Sequence, residues 1–364
     1  MFKKKNLALA ISMILIVAFA FSACGAPAKT QEPAENVKAA DAAKPEEKKE
    51  PEQKAAAVND SSKKKINIQP ADQNPEKPLK IAAICVQNNP FWFPVKDGVL
   101  YAKELLAAKN TTVDFITIDE FDAKKFNDAI ETCIAKQYNA ITVVGVSDAI
   151  VPAINKAVEA GIVVNTFNGD TTKESKRTAF FGQDLYAAGV KAGEMLLAEI
   201  GGKGKVAVIT GLFSVPSHEL RRKGFREAVD KVAEVKVVGE VECKDKAETA
   251  YAQTKDFLTA NPDLNGIYVT AGGPFGAAKA IEELGLTGKV KIVCFDFVDE
   301  TIQYVRKGVI SGTLGQDPFG QGFDPIVYAF NQIVTGQKPP QVKMWTRLDY
   351  VTKDNVDELI GPAK

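Results

Sequence analysis

The sequence predicts an α/β fold in which two doubly wound parallel sheets follow one another along the chain. Segments such as Ile81–Val86 and Lys291–Phe295 are continuous apolar runs, typical of parallel strands covered by helices on both faces. These runs alternate with segments of helical character, as βα units require. The chain has 364 residues, and a single hydrophobic core stops growing at about 250–300 residues, so two lobes are expected.

The first series of elements starts at Leu79, and each of its predicted helices follows a strand. The predicted strands are Leu79–Val86, Val113–Ile118, Ala140–Val146, Ile162–Phe167 and Thr178–Phe181. The predicted helices are Phe91–Ala108, which is amphipathic, Ala123–Gln137 and Ala149–Ala160.

The pattern then restarts with a helix at Leu185–Ile200. The strands predicted after it are Lys205–Thr210, Val235–Val241, Gly266–Val269, Val290–Phe295 and Ile310–Gly315. The helices predicted between and after them are Pro216–Val232, Ala247–Ala260, Pro274–Leu284, Glu300–Lys307 and Pro318–Val334. A repeated series of this kind predicts a second doubly wound sheet.

The first 24 residues have the layout of a secretory signal peptide, with a basic start and an apolar run, Leu7–Phe21, shorter than the ~20 residues of a membrane span. The run ends in Phe21-Ser22-Ala23-Cys24, which resembles the lipobox of bacterial lipoproteins, with Phe21 replacing the usual Leu. The resemblance implies cleavage before Cys24 and lipid attachment there, which would anchor the protein to the cell membrane from outside the cytoplasm. An uncleaved anchor helix at residues 1–24 is the alternative.

Residues 25–78 are predicted to be a disordered tether. They contain no aromatic residue and seven of the 18 prolines. Such a composition cannot bury enough apolar surface to offset the entropy of ordering. A coil of this length spans ~40 Å on average, so the expected role of the tether is to let the folded part extend away from its anchor.

The composition argues against nucleic-acid binding and against metal chemistry. Lys and Arg number 46 and Asp and Glu also number 46, whereas nucleic-acid-binding proteins carry a basic surplus. The single His disfavours a zinc site, and we expect no metal and no cofactor.

The usual catalytic motifs are also missing from the sequence. Neither a Gly-x-x-x-x-Gly-Lys-Ser/Thr phosphate loop nor a Gly-x-Ser-x-Gly elbow is present. His218 stands between Ser217 and Glu219 on a predicted helix, where adjacent side chains point in different directions. We therefore expect no catalytic residue and no enzyme, and we interpret His218 as a surface residue.

Four cysteines lie beyond the leader, at positions 85, 133, 243 and 294. No two of them form a Cys-x-x-Cys pair, and Cys85 and Cys294 belong to apolar strands. Buried free thiols are therefore expected, with pairing in an exported protein as the alternative.

Polar and aromatic residues follow the predicted strands, at the sheet edge where ligands bind in open α/β folds. Amides and carboxylates both satisfy neighbouring hydroxyls, and aromatic rings stack on C–H faces, so the combination favours a sugar. We interpret Phe91 and Trp92 as facing the ligand and Phe93 as core. The candidates are Asn88, Asn89, Phe91 and Trp92 after the first strand, Asp148 after the third, Asn168 after the fourth, and Thr270, Asp296 and Gln316 in the second half.

The order and spacing of these residues resemble the periplasmic sugar-binding proteins of ABC transporters, in the ribose-binding-protein-like group that shares its fold with the core of the LacI repressor. The resemblance covers about residues 79–352. Its landmarks are Asn89-Pro90-Phe91-Trp92, Asn168, Arg221 ahead of Gly224-Phe225, Cys294-Phe295-Asp296 and Gly315-Gln316.

The resemblance implies the type I periplasmic binding protein fold, with two lobes that close on the ligand about a three-segment hinge. The hinge crossings are expected near Phe181–Gln183, Gly315–Asp317 and Thr346–Leu348. The N-terminal lobe would comprise residues 79–181 plus 317–346, and the C-terminal lobe residues 182–316 plus 347–364.

The resemblance also implies roles for individual residues. Phe91 and Trp92 would sandwich the sugar, while Asn89 with the adjacent Asn88, Asp296 and Gln316 would bind its hydroxyls.

Several positions depart from the ribose binder. Asn168-Gly169 stands in place of an Asp-Arg pair, and Ala271 in place of an Asn. The helix Arg that reaches ribose falls at Glu219, with Arg221 slightly farther round the helix, so both are candidates. These departures argue against ribose and favour a larger or differently substituted ligand.

The implied function is a monomeric, lipid-anchored receptor that delivers a sugar or sugar-like molecule to ABC permease subunits. A receptor that presents its closed form to a membrane signalling protein is the alternative, and neighbouring genes would separate the two. A nucleoside or a furanosyl signal molecule is the alternative ligand.

Overall fold

The computed structural model of the protein describes residues 66–362 and contains two six-stranded sheets. The strands of the first are β1 (Leu79–Val86), β2 (Thr111–Ile118), β3 (Ala140–Val144), β4 (Val163–Phe167), β5 (Ala179–Gly182) and β11 (Lys343–Trp345). Those of the second are β6 (Gly204–Thr210), β7 (Val235–Glu242), β8 (Leu264–Val269), β9 (Lys291–Phe295), β10 (Gly312–Gly315) and β12 (Asp349–Val351).

The two sheets have matching topologies. The strand orders are β11-β5-β4-β3-β1-β2 and β12-β10-β9-β8-β6-β7. In each sheet, the second strand along the chain lies on one side of the first strand, and the later strands lie on the other side. Neighbouring strands are parallel, except that β12 runs antiparallel to β10. The predicted fold class, an α/β fold with two doubly wound parallel sheets, is confirmed.

Helices surround both sheets. The first sheet is packed by α1 (Trp92–Ala107), α2 (Ala123–Ala135), α3 (Val151–Glu159) and α9 (Pro318–Thr335), with a 3₁₀ turn at Asp148–Ile150 ahead of α3. The second is packed by α4 (Leu185–Glu199), α5 (Pro216–Val229), α6 (Ala247–Ala260), α7 (Pro274–Glu283), α8 (Asp299–Arg306) and α10 (Val356–Leu359). We call each sheet with its helices the first and the second lobe.

Each lobe has its own apolar interior. One cluster of buried side chains fills both faces of the first sheet, whereas two separate clusters cover the faces of the second. Strands such as Ile81–Val86 are fully buried, because helices cover the sheet on both sides. All four cysteines beyond the leader are buried and free, as expected.

Glycines permit the closest helix contacts. A Cβ atom on Gly98 of α1 would lie 2.2 Å from the carbonyl oxygen of Phe319 in α9. In the second lobe, a Cβ atom on Gly189 of α4 would lie 2.1 Å from the carbonyl oxygen of Arg221 in α5. The second contact matters for the site, because it fixes the backbone from which the Arg221 side chain extends.

The folded chain begins earlier than predicted. The segment Ile66–Asp72, here called the N-terminal strap, lies against α9 in the first lobe, and Ile66 and Ile68 pack on the first core. Asn67 donates to Asp324 over 2.8 Å, and the Asn331 side chain pairs with the strap backbone. The tether predicted at 25–78 is therefore wrong for its last part, because these apolar and amide groups have partners on α9. Residues 25–65 lie outside the described part.

Candidate ligand-binding site

The loops at the carboxyl ends of the two sheets face each other across a cleft. We call this space the central cleft. It is lined by Asn89, Phe91, Trp92, Phe121, Asn168, Leu185, Ser217, His218, Arg221, Asp245, Ala271, Gly272, Asp296 and Gln316. Both lobes contribute, so a ligand held here touches both.

The structure brings seven of the predicted site residues together in the central cleft. They come from four different strand-end loops and from α5, separated by up to 227 positions in the sequence because the parallel strands place their carboxyl ends at one edge. Asn88 lies at the border of the same region. The role of these predicted residues in ligand binding remains a prediction. The seven are Asn89, Phe91, Trp92, Asn168, Arg221, Asp296 and Gln316.

Phe91 and Trp92 form the aromatic wall of the central cleft, and Asn88 and Asn89 hold this wall in place. The indole Nε1 of Trp92 donates to Asn88 Oδ1 over 3.1 Å, and the backbone N–H of Phe91 donates to Asn89 Oδ1 over 3.0 Å. The Phe91 and Trp92 rings meet edge to face with centroids 5.1 Å apart. Phe93 is 49% exposed, so its interpretation as core was wrong: the helix turns it outward.

A chain of amide hydrogen bonds links the two lobes at the hinge. Gln316 Nε2 donates to Asp296 Oδ1 over 2.6 Å in the second lobe. Gln321 Nε2 donates to the Gln316 carbonyl over 2.6 Å, and Asn168 Nδ2 donates to Gln321 Oε1 over 3.0 Å in the first lobe. Asp296 and Asn168 both have positive φ, 76° and 61°, which Asp and Asn tolerate better than most residues.

Asp296 carries an unusual carboxyl group. Burial raises the pKa of Asp296 to about 6, although the positive charge of Arg221 and the hydrogen bond from Gln316 act in the opposite direction. At neutral pH the group is mostly ionised. It is therefore an acceptor that can form charge-assisted hydrogen bonds with hydroxyls in the cleft.

Arg221 is a buried guanidinium beneath the cleft. Its carbon Cζ lies 3.7 Å from the centroid of the Phe295 ring. Its Nη1 donates to the Thr270 carbonyl over 3.1 Å, and its Nη2 donates to Gln183 Oε1 over 3.4 Å. Among the residues that the structure describes, none accepts from its Nε.

Three predicted site residues lie outside the central cleft. Asp148 accepts from the backbone of Thr172 and Lys173, at 2.6 and 3.0 Å, and so closes a surface loop. Glu219 is held by two hydrogen bonds from Arg222, at 2.8 and 2.7 Å, on the outer side of α5. Of the two α5 candidates, only Arg221 faces the cleft.

The third of these, Thr270, is buried beneath the cleft wall. Its hydroxyl pairs with that of Thr210 at 2.8 Å, and only its backbone carbonyl reaches the site, through Arg221. The prediction that its side chain faces the ligand does not fit this geometry, because the end of β8 directs the side chain inward.

The cleft side chains that sequence reasoning missed include Phe121, His218 and Asp245. His218 is buried, so its interpretation as a surface residue was wrong; its Nδ1 accepts from the Leu212 N–H over 3.0 Å. Phe121 and Asp245 follow strands β2 and β7, so the rule that pointed to the other loops applies to them as well.

These missed residues connect the lobes across the cleft. The Phe121 ring of the first lobe meets the His218 ring of the second edge to face, with centroids 5.3 Å apart. Asn89 Nδ2 lies 3.5 Å from the Asp245 carboxylate, which also accepts from the Gly272 N–H over 2.8 Å. The lobes are thus in contact, and the conformation is closed.

Comparisons with known proteins agree with this architecture. The family model described as periplasmic binding protein domain matches residues 83–338. The chain belongs to this family. The predicted resemblance to periplasmic binding proteins is thereby confirmed.

Individual relatives are similar over most of their lengths. The D-allose-binding periplasmic protein of Escherichia coli is 27% identical over 241 residues, 64% of this chain and 76% of that protein. The structure of GanP, a glucose-galactose binding protein from Geobacillus stearothermophilus, is 28% identical with a TM-score of 0.71, covering 77% of this chain and 99% of that one. The XylFII–LytSN complex matches with 27% identity and a TM-score of 0.70, covering 78% of this chain and 100% of that one.

Between residues 66 and 362, no helix is long and apolar enough to cross a membrane. In the same range, no group of three or more His, Cys, Asp or Glu side chains is arranged to hold a metal ion.

The closed cleft can be tested by fluorescence, because the chain has only two tryptophans. Trp92 is 3% exposed in the cleft and Trp345 is 48% exposed at the sheet edge. We expect the Trp345→Phe variant, which keeps Trp92, to emit at shorter wavelength than the Trp92→Phe variant and to resist quenching by acrylamide. Equal emission maxima and equal quenching in the two variants would show that the cleft is open in solution.

Proposed function

We propose that the protein is a lipid-anchored extracytoplasmic receptor that captures a sugar or sugar-like molecule between its lobes and delivers it to an ABC permease. The observation that carries this proposal is the composition of the central cleft. Aromatic faces from Phe91, Trp92 and Phe121 lie beside the amides of Asn89 and Asn168 and beside the carboxylates of Asp245 and Asp296.

This set of groups matches the surface of a sugar. A hydroxyl both donates and accepts, and a carboxylate or an amide oxygen can accept from two neighbouring hydroxyls at once. The C–H face of the ring needs an apolar partner, which the aromatic wall provides. Support also comes from the relatives, because the Escherichia coli protein is named for D-allose and GanP for glucose and galactose.

Lobe closure supplies the signal for delivery. Contacts between the lobes such as Phe121 with His218 and Asn89 with Asp245 are individually weak. A ligand that bonds to both lobes adds favourable contacts only in the closed state, so binding shifts the population towards it. A permease that recognises the closed form then receives only loaded receptor.

The groups that line the central cleft are arranged to bind a ligand and not to catalyse a reaction. Asp296 is engaged by Gln316, and Asp245 by the Gly272 backbone, so both carboxylates are oriented as acceptors. The His218 Nδ1 is used by the Leu212 N–H. Burial lowers the pKa of His218, which keeps its ring neutral. We therefore propose that the protein is not an enzyme and acts as a monomer without a cofactor.

A sensory role is the second candidate; the similar XylFII–LytSN structure is a complex with a second protein. In that role, the closed form would engage a membrane signalling protein instead of a permease. Deleting the gene separates the two functions: loss of uptake of the labelled ligand supports transport, whereas intact uptake with loss of a transcriptional response supports sensing.

The sugar proposal predicts a specific effect of Trp92→Ala. In calorimetric titrations of the full-length protein with pentoses, hexoses and polyols, this variant should bind more weakly by about 2–4 kcal/mol, because a buried aromatic face is lost. The matched control is Phe93→Ala, which removes the adjacent, half-exposed ring and should leave the affinity unchanged. An absence of binding to every member of the panel would refute the sugar proposal.

Asp296 predicts a pH dependence of affinity. Because the pKa of its carboxyl is about 6, lowering the pH through 6 protonates it and removes a charge-assisted acceptor. We expect constant affinity above pH 7 and a loss of at most tenfold per pH unit below about 6. Asp296→Asn should bind weakly at all pH values between 5 and 8. A wild-type affinity that stays flat over this range would exclude Asp296 as an ionised acceptor.

The proposed anchor predicts lipid on Cys24, which lies outside the described residues. Cells grown with labelled palmitate should incorporate label into the wild-type protein, and mass spectrometry should show that the chain starts at residue 24. Cys24→Ser should remove both the label and the membrane association. The matched control is Cys133→Ser, which changes a buried thiol and should retain the label. An unlabelled wild-type chain that still begins at Met1 would favour the uncleaved helix.

A further inference from the structure

The central cleft continues into a cavity of about 200 Å³, and the two form one space, here called the binding cavity. Both parts are lined by Asn89, Phe91, Asp245, Gly272 and Asp296. A protein cavity of about 150 Å³ is sufficient to bind benzene, so a space of about 200 Å³ accommodates one monosaccharide ring. The groups that line this space therefore decide which monosaccharide binds.

The interior of the binding cavity carries more negative than positive charge. Its charged side chains are Asp245, Asp296 and Arg221. Asp245 is only 6% exposed. His218 adds no positive charge at neutral pH, because burial lowers the pKa of its ring. Two carboxylates and one guanidinium leave the interior with one excess negative charge.

The mouth of the binding cavity does not compensate this charge. Lys246 and Glu248 both border the mouth with exposed side chains, and their charges are opposite. Water and salt screen charges at exposed positions far more than at buried ones. The excess negative charge therefore acts on whatever occupies the interior.

The guanidinium of Arg221 is directed at other partners than the two carboxylates. It donates to the Thr270 carbonyl and to Gln183 Oε1. In the described part of the chain, neither Asp245 nor Asp296 forms an ion pair with a Lys, Arg or His side chain. Both carboxylates thus face the binding cavity without a cation in direct contact.

The two carboxylates also act on each other. Burial raises the pKa of Asp296 to about 6, and the negative charge of Asp245 adds to that rise, against the effects of Arg221 and Gln316. A positive charge placed in the cavity would be attracted by both carboxylates, because a cleft lined by one sign of charge concentrates its field on the space inside.

One oxygen of Asp245 is available to a ligand. Its Oδ1 accepts from the Gly272 N–H over 2.8 Å. Its Oδ2 has only a 3.5 Å contact with Asn89 Nδ2, which already donates to Asn88 Oδ1 over 3.2 Å. A charged donor would satisfy this oxygen best, since charge-assisted hydrogen bonds are roughly twice as strong as neutral ones.

Building on the proposed sugar-binding function, we infer that the preferred ligand is a monosaccharide that carries one protonated amino group. The ammonium donates to Asp245 Oδ2 and compensates the excess charge of the interior. The ring lies against Phe91 and Trp92, and its hydroxyls bind the amides and Asp296. A neutral sugar fits the same space without compensating the charge, whereas a sugar with a carboxylate or a phosphate is repelled.

The test varies the charge of the ligand on one ring. The full-length protein is titrated by calorimetry at pH 7 with D-glucose, D-galactose and D-allose, with derivatives of each that carry an amine at carbon 2 or carbon 6, and with the corresponding uronic acids. In a series that binds, one amino sugar should bind at least about tenfold more tightly than its neutral parent, and the uronic acid at least about tenfold more weakly.

Two variants locate the ammonium. Asp245→Asn keeps the shape of the side chain and removes its charge, so the ratio of amino-sugar to neutral-sugar affinity should fall at least about tenfold. The matched control is Glu248→Gln, which removes an exposed carboxylate at the mouth and should leave the ratio unchanged. If Asp245→Asn weakens both classes by the same factor, the assignment of the ammonium to Asp245 is overturned. If this variant does not fold, the wild-type series decides the ligand class.

The remaining outcomes separate the two claims. If every amino sugar gains less than about tenfold over its neutral parent, the inference fails and the proposed function stands. If amino sugars bind and neutral sugars do not, the inference stands. If no member of the panel binds, the proposed sugar-binding function itself fails.

Discussion

The centre of the protein depends on keeping one guanidinium charged beneath the cleft. Burying an unpaired charge costs several kcal/mol, so Arg221 needs partners within the fold. It obtains them from the Phe295 ring, the Thr270 carbonyl and the Gln183 side chain. Thr270 and Phe295 lie at the ends of β8 and β9 in the second lobe, whereas Gln183 follows β5 of the first sheet. Satisfying this charge therefore connects the second-lobe wall of the site to the segment where the chain crosses between the lobes.

The same charge influences the acceptor above it. Burial alone would push the pKa of Asp296 upward, and the nearby Arg221 opposes that shift, so the carboxylate stays ionised at neutral pH. Asp296 in turn orients Gln316 at the hinge, and Gln321 forms hydrogen bonds both with Gln316 and with Asn168 in the first lobe. Changes at the ligand site and changes in lobe position therefore involve the same hydrogen bonds.

The sequence was a good guide to the fold and a partial guide to the site. Continuous apolar strands such as β1 are recognisable because both faces are buried, and the helices between them follow from periodicity. Strands β11 and β12 are three residues each and are defined by pairing with distant strands, which no local pattern reveals. Asp245 follows β7, so the strand-end rule applies to it as well, whereas the burial of His218 depends on tertiary contacts with Leu212 and Phe121 that local sequence does not encode. Arg221 and Glu219 differ by two positions, and only the packing of α5 on α4 determines which one faces inward.

The N-terminal strap determines where a mechanical load enters the molecule. Its contacts lie on α9, and Asn67 reaches both Asp324 and the hinge residue Asp317, so the chain leading towards Cys24 leaves from the first lobe. Under the proposed anchoring, a force transmitted along the tether acts on the first lobe and is not applied directly to the second lobe. The first lobe is then held at the membrane while the second lobe moves, and tension in the chain does not open the central cleft.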